Sequence, residues 1–507
     1  MRGSHAGEAR PQRLVVLLLD SLNRHMLGCY GGREFDTPNL DRLAERAVRF
    51  DRHHAGSLPC IPARHDLLCG ALDFLWKPWG SIELWESSVT AALRRDGIVS
   101  MLITDHPHLF ETGGENYHTD FTAWDYQRGH ESDPWKTRPD PSWVGAPGFG
   151  RGHMPYDDSR GWFRGEEDFP GPRTLSAAAR WLEQDAPHHP RFFLLVDEFD
   201  PHEPFDTPEP YASRYDPDWE GPHLIWPPYV SGGVRDAVLT EREARQLRAC
   251  YGAKLTMIDR WLGRVLEAMD RAGLWRDTVL ILCTDHGHYL GEHDIWGKPG
   301  VPVRSPLGHI PLLIVHPGVE PHAVSALTTT VDLFATITDL FAVEPAHRIH
   351  GRSLLPLLRG EKTAVRDGLL CGVFGRQVHW IDGTFNYARG PVRENAPLSM
   401  WSNRWSTMPI HPPPGPPFPL PDERAFLDRM PGSRVPVIRQ PFREGDLLPF
   451  WSVGTPPGNH LWNLKDDPDE LRDLAGSPIE RQLEERLREA LLEIEAPADQ
   501  LERLGLS

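Results

Sequence analysis

The sequence predicts an α/β fold with a large, mostly parallel central sheet, helices on both of its faces, and a small α+β region after it. Three observations predict this. Short, unbroken apolar runs recur up to about residue 345, as in strands buried on both faces of a sheet. Helical stretches with readable caps separate these runs. Beyond about Gly360 the alternation stops and proline becomes frequent.

The first run, Arg13–Leu19, ends in Asp20 and reads as a buried parallel strand. Thr37-Pro38 opens a helix over 37–47, with Thr as N-cap and Pro at the first helical position. Residues 88–95 form a second helix that stops at Gly97, and 98–104 the next strand. A helix over 174–184 leads to a buried strand over 192–196. Thr240-Glu241-Arg242-Glu243 is a capping box that opens a long amphipathic helix ending at Gly273. Thr278–Cys283 and 310–315 add strands, and Val331–Phe341 a helix. The stretch 110–172 is rich in Trp, Gly, Pro and His; its length and aromatic content predict an ordered loop over a functional site. Residues 369–374 and 377–387 read as a hairpin of exposed strands, 461–464 as a strand, and 479–494 as an amphipathic helix. The Pro-rich segment 391–457, with His411-Pro-Pro-Pro-Gly-Pro-Pro at its centre, is expected to lack regular structure. The chain thus divides into an α/β domain over 12–365 and a C-terminal α+β subdomain over 366–507 that carries the insertion at about 391–457. No internal repeat is visible.

Composition excludes several classes of function. Hydrophobic residues are 39% and charged residues 25% of the 507, which is ordinary for a globular chain. The longest apolar run, 14–19, is far short of the ~20 residues of a membrane span. It is also too short for a secretory h-region and has no cleavage site behind it, so the expected location is the cytoplasm, with no membrane association. A net charge of −18 argues against nucleic acid as a partner. It also requires that an anionic substrate meet local cations or a metal. The six cysteines form no CxxC pair and read as reduced, mostly buried thiols.

Ligands of open α/β sheets bind past the carboxyl ends of strands. Those ends carry Asp20-Ser21, Thr104-Asp105-His106-Pro107-His108, the stretch 197–203 with His202, and Thr284-Asp285-His286-Gly287-His288. Each alone is most simply a cap, turn or packing residue. Together they bring Asp and His to one edge, the composition of a metal site. Pro59-Cys60-Ile61-Pro62-Ala63-Arg64, followed by a helical stretch, reads in isolation as a buried Cys before a Pro turn.

That last segment resembles the activation motif of type I sulfatases, in which the cysteine is oxidised to formylglycine. The resemblance covers nearly the whole chain: Leu17-Leu18-Leu19-Asp20-Ser21-Leu22, Leu27-Gly28-Cys29-Tyr30-Gly31, Thr37-Pro38-Asn39-Leu40, Pro201-His202-Glu203-Pro204, Thr284-Asp285-His286-Gly287, Trp296-Gly297-Lys298, His350-Gly351-Arg352-Ser353 and Leu461-Trp462-Asn463-Leu464. It implies an alkaline-phosphatase-like α/β/α sandwich and hydrolysis of a small or medium anionic ester, a sulfate ester first. It assigns Cys60, once modified, as nucleophile and metal ligand, Asp20, Asp285 and His286 as further ligands of one divalent metal, Arg64 as the group that orients the nucleophile, and Lys298 and His202 as sulfate-binding and leaving-group residues. It also implies a formylglycine-generating or equivalent maturation enzyme as a partner.

Two departures open an alternative. Ser21 stands where many sulfatases have a second Asp, and His286 where many have Asn; calcium favours oxygen ligands, whereas manganese accepts imidazole. This pattern is also similar to phosphonate monoester hydrolases and choline sulfatases. The family's lysine-and-histidine segment is replaced by 104–108, where His106 or His108 is the candidate for one of its roles. The runner-up is therefore a phosphodiesterase or phosphonate monoester hydrolase on the same scaffold. A catalytically silent member of the fold would have lost a site residue, and none is lost. The oligomeric state stays open, with the Pro-rich insertion a candidate interface.

Overall fold

A computed structural model describes residues 11–146, 155–393, 396–408, 419–452 and 458–507. Because Leu14 to Leu19 is apolar at every position, the first strand can only be buried on both faces, and it takes the centre of a nine-stranded sheet. Arg13–Leu19 runs parallel to Phe192–Glu198 on one side and to Thr278–Cys283 on the other. Leu18 is in register with both Asp197 and Cys283. The three strands therefore end together, and Asp20, Asp197 and Asp285 share one edge. Val99–Thr104 and then Ala123–Tyr126 continue the sheet in parallel.

Side chains alternate between the faces. Val15, Leu17 and Leu19 pack with Leu175 and Leu182 of the helix Pro170–Gln184 and with Leu255, Ile258 and Leu262 of the helix Glu241–Arg271. Leu14, Val16 and Leu18 pack with Leu67 of Cys60–Cys69, Leu93 of Val89–Arg95 and Phe334 of Val331–Phe341. This is the expected α/β/α sandwich. The capping box holds as read: Thr240 Oγ1 accepts from the Glu243 N–H, and the Glu243 carboxylate accepts from the Thr240 N–H.

Several expectations are corrected. The run 310–315 is split at Pro311, which has no N–H to give to a ladder, into His309–Ile310 and Leu312–Val315, and both run antiparallel to their neighbours. The helix over 37–47 is shorter, Pro38–Ala44, because the residues after it enter an unanticipated strand, Val48–His54. A second unanticipated strand, Ala323–Thr329, pairs with it in parallel. The helix read as 174–184 starts at Pro170, since prolines fit a first helical turn.

The hairpin read as exposed is mostly buried: Leu369–Val373, Val378–Ile381 and Phe385–Arg389 lie in a five-stranded sheet with His460–Asn463 and Ser57–Leu58, packed against Leu483, Leu487 and Leu491 of the helix Glu480–Glu493. The insertion is not irregular throughout. Leu398–Ser402, Phe426–Arg429 and Pro436–Phe442 form a three-stranded antiparallel sheet, with Pro436 at the start of its strand. The run His411-Pro-Pro-Pro-Gly-Pro-Pro lies outside the described residues. In the loop over 110–172, Tyr156, Phe163 and Phe169 join Ile225 and Trp226 in a small apolar core. No helix among the described residues is long and apolar enough to cross a membrane, and all six cysteines are free.

Candidate active site

The helix Cys60–Cys69 begins at the edge where the central strands end, and its start is fixed locally. Asp66 reaches back one helical face to accept the Ser57 N–H at 2.6 Å and the Ser57 hydroxyl at 2.7 Å. Gly56 permits this approach, since a Cβ there would sit 2.3 Å from Asp66 Oδ2. The result holds Cys60 in the first helical turn, 2% exposed, with its sulfur directed at the strand ends.

Four potential ligands meet there: Asp20, Cys60, Asp285 and His286 offer donor atoms that all lie within 4.8 Å of one another. Cys60 Sγ is 3.2 Å from His286 Nε2. The His286 Nδ1 contact with the Gly287 carbonyl, 2.8 Å, requires a proton on Nδ1 and leaves the Nε2 lone pair facing the cluster. Ser21 adopts a left-handed φ of 60°, which costs a non-glycine residue about 1 kcal/mol or more. Two bonds hold it: its N–H donates to Asp285 Oδ1 (3.1 Å) and its hydroxyl to Asp20 Oδ1 (2.7 Å).

Arg64, one turn after Cys60 and 1% exposed, is the counter-ion for three carboxylates. It binds Asp197 with two parallel bonds of 2.9 and 2.7 Å, donates to Asp285 Oδ2 at 2.8 Å, and lies 2.9 Å from Asp20 Oδ2. Burial and then the nearby Asp285 push the Asp20 carboxyl well above the usual carboxylate range. Burial acts on Asp285 in the same sense, but His286 and Arg64 outweigh it and hold Asp285 below that range. A divalent cation fits this donor set of two acidic side chains, one free imidazole nitrogen and the side chain of residue 60, and its charge would offset the crowding of acids that raises Asp20.

Lys298 closes the site from the other side. Its Nζ is 3.8 Å from Cys60 Sγ, 3.4 Å from Ser21 Oγ and 2.6 Å from His202 Nε2. Burial disfavours its charge, but Cys60, Tyr229, Glu203 and Asp20 outweigh burial and keep it protonated. His202 donates from Nδ1 to the Glu203 carbonyl (2.8 Å), which presents a lone pair on Nε2 to the ammonium. Burial lowers the His202 pKa well below that of a free imidazole, so the ring is neutral.

Each residue singled out from the sequence thus lies at this edge, with different neighbours. Arg64 contacts the metal-type carboxylates rather than the Cys60 sulfur, touching Cys60 only through its carbonyl at 3.2 Å. His106 points inward, 3.7 Å from Asp20 Oδ2 and stacked edge-on against Phe199 at 4.3 Å. His108 turns away and bridges Glu111 and Glu131. Sequence reasoning assigned no role to Asp197, Ser21, Glu131 or Glu203. Asp197 carried a usable signal, its place at a strand end. Glu131 carried none, because it lies in the long loop and reaches the site by tertiary folding: its carboxylate, Glu203 and His202 offer donor atoms within 4.8 Å of one another.

This architecture is the alkaline-phosphatase-like α/β/α fold. The crystal structure of the phosphonate monoester hydrolase of Agrobacterium radiobacter superposes with a TM-score of 0.65 over 96% of both chains at 20% identity. Residues 12–343 match the family model described as Sulfatase, and the chain belongs to that family. It is 28% identical over 383 residues to the multifunctional alkaline phosphatase superfamily protein PehA of Trinickia caryophylli, covering 66% of this chain and 74% of that one. It is 26% identical over 379 residues to the choline-sulfatase of Rhizobium meliloti (strain 1021), covering 68% and 71%.

Proposed function

We propose that this protein hydrolyses a small or medium sulfate ester, using a formylglycine made from Cys60 and one divalent metal ion held by Asp20, Asp285, His286 and residue 60. The observation that carries this reading is the position of Cys60: first turn of a buried helix, 3.2 Å from His286 Nε2 and 3.8 Å from Lys298 Nζ, inside a set of metal-type donors. Formylglycine, once hydrated, would supply a geminal diol as nucleophile, and a metal held by these residues would supply positive charge that favours its ionised form. The chain's own residues do the rest. Arg64 holds Asp20, Asp197 and Asp285 in place. Lys298 offers its ammonium to the ester oxygens, where charge gathers as the bond to the leaving group breaks. His202, fixed as the Nδ1–H tautomer, exchanges a proton with Lys298 and the leaving oxygen through Nε2. His106 lines the cluster as a neutral ring, since burial and then Arg64 lower its pKa well below the usual value.

A second reading, a phosphodiesterase or phosphonate monoester hydrolase, draws support from the donor set. With Ser21 and His286 in place of acidic or amide oxygens, the site offers two carboxylates and an imidazole, which suits manganese as well as calcium. Maturation requires a formylglycine-generating or equivalent enzyme in the producing cell. The deciding experiment pairs the mass of the peptide bearing residue 60 with kcat/KM on an aryl sulfate, a phosphodiester and a phosphonate monoester. The leading reading expects the aldehyde mass and the highest value on the aryl sulfate. A clear preference for the phosphodiester or phosphonate would establish the second reading, and full activity with unmodified cysteine would overturn the mechanism.

A further inference from the structure

Past the end of the Val48–His54 strand lies a cavity of about 380 Å³ that shares no residue with the cluster around Cys60. Its walls carry Arg24 and His25 from the turn after the first strand, Arg52 and His54 from the second, and Arg304 and His309 from the segment after Lys298. This chain has 72 acidic residues to 54 lysines and arginines, so a cavity with three arginines is the place to ask what balances them. Among the described residues, none is held by a carboxylate. Arg24 stacks over the Tyr30 ring at 4.3 Å and donates to the Asp51 carbonyl at 3.4 Å. Arg52 Nε donates to the Ser325 carbonyl at 2.5 Å, and Arg304 lies over the Trp462 ring at 4.8 Å.

The nearby acids are committed elsewhere or lie outside. Asp51 is bound by Arg49 at 2.8 Å. Glu470 accepts the Ser305 N–H at 2.5 Å and Asn386 Nδ2 at 2.8 Å, and Asp469 is exposed at the rim. Moreover, among the described residues Nε of Arg24 and Nε of Arg304 are buried donors with no acceptor. Stacking on an aromatic ring explains where these arginines rest, but it does not satisfy those N–H groups. A guanidinium fork matches the oxygens of sulfate or phosphate in spacing and charge. Ser305, whose Oγ lies 3.0 Å from His25 Nε2, adds a hydroxyl on the same wall.

We propose that this cavity is a second ligand site, separate from the reaction centre, that binds a small molecule through a sulfate or phosphate group. The volume leaves room for an organic part of about sugar size, within the range of small-molecule pockets. The inference does not depend on the proposed reaction, because its deciding readouts are binding stoichiometry and affinity, and turnover serves only to check that the reaction centre is intact.

The test is calorimetric titration of the intact protein at constant ionic strength with inorganic sulfate, inorganic phosphate and glucose 6-phosphate. The double variant Arg24→Gln/Arg304→Gln should bind one equivalent fewer than the wild type, while its turnover of an aryl sulfate stays within about twofold. Arg52→Gln alone should weaken the same site about tenfold, as loss of one charge-assisted hydrogen bond implies; it carries the test if the double variant fails to fold. Tighter binding of glucose 6-phosphate than of both ions would identify an ester as the ligand, and equal binding a free oxyanion. Stoichiometry and affinity unchanged in Arg52→Gln, or heats no larger than those of chloride, would overturn the proposal.

Discussion

The helix Cys60–Cys69 borders two buried clusters of charge that differ in how they are balanced. Behind it, His65 lies between Asp73 (3.0 Å) and Glu86 (2.7 Å), and Lys77 reaches the same two carboxylates at 3.0 and 3.4 Å. Two cations face two anions, and each touches both partners. Burial opposes the His65 charge, yet Asp73 and Glu86 outweigh it and keep the ring protonated. In front, Arg64 alone serves Asp20, Asp197 and Asp285, while Lys298 has no carboxylate within 4 Å among the described residues and rests against a thiol, a hydroxyl and a neutral imidazole. The rear cluster is complete and serves the fold. The front one gathers acids on one side and, on the other, an ammonium whose direct contacts are a thiol, a hydroxyl and an imidazole, which is the arrangement that receives a cation and an anion from outside.

The largest expected effect comes from the atom at the centre of the unbalanced cluster. Cys60→Ala should lower kcat/KM on an aryl sulfate by at least about 10³-fold while leaving the melting temperature nearly unchanged, since little buried surface is lost. Cys60→Ser should form a covalent sulfate and stall, visible as a mass gain on that peptide. Next, Asp285→Asn removes a carboxylate from a set that has few. Metal content by elemental analysis should fall below one equivalent per chain, with activity recovering only at raised metal concentration.

Exchanging the same chemistry across the helix sharpens the contrast. Lys298→Met should lower kcat by about 10²–10³-fold with little loss of stability, as when a donor to developing charge is removed. Lys77→Met should do the reverse, costing about 3–5 kcal/mol in denaturant unfolding because a buried pair is broken, with kcat of the folded fraction intact. If Lys77→Met lowers kcat as far as Lys298→Met does, the division into structural and functional clusters fails.

A further expected effect concerns pH and leaves the reaction centre untouched. Glu111 and Glu131 outweigh burial and push the His108 pKa up to about 10, whereas an unfolded histidine titrates near ~6.5. A pKa raised on folding contributes stability that is complete below ~6.5 and lost as pH rises toward 10. The melting temperature should therefore fall between pH 7 and 10, and fall less in His108→Asn. Parallel curves for the two proteins would remove His108 from the account.

What could be read in advance follows local physics. The centre of the sheet was legible because Leu14 to Leu19 and Thr278 to Cys283 are apolar without a break, and the Cys60, Asp285 and His286 segments because their chemistry is contiguous in sequence. Val48–His54 escaped notice because only Val48 and Phe50 in it are apolar, and Arg49, Asp51, Arg52, His53 and His54 continue the polar look of the helix before them. The sheet inside the insertion was hidden by proline content, which signals irregularity even where a proline sits at the start of a strand, as Pro436 does. In the site, no pattern distinguishes His106 from His108. They differ by two residues in a short turn, and their directions are set by Phe199 and Glu131, which arrive from elsewhere in the chain, together with Glu111 three residues after His108.

All ten residues of the helix Cys60–Cys69 are buried, and this bears on the order of events during biosynthesis. An enzyme that oxidises Cys60 must grip the chain on both sides of it, and a helix docked on a sheet with its thiol 2% exposed offers no grip. The proposed maturation therefore belongs to the nascent or unfolded chain. Molecules that fold first keep their cysteine for as long as they stay folded. The specific activity of a preparation then records a race between closure of this helix and arrival of the oxidising enzyme, decided once per molecule, and later incubation of folded protein with that enzyme leaves it unchanged.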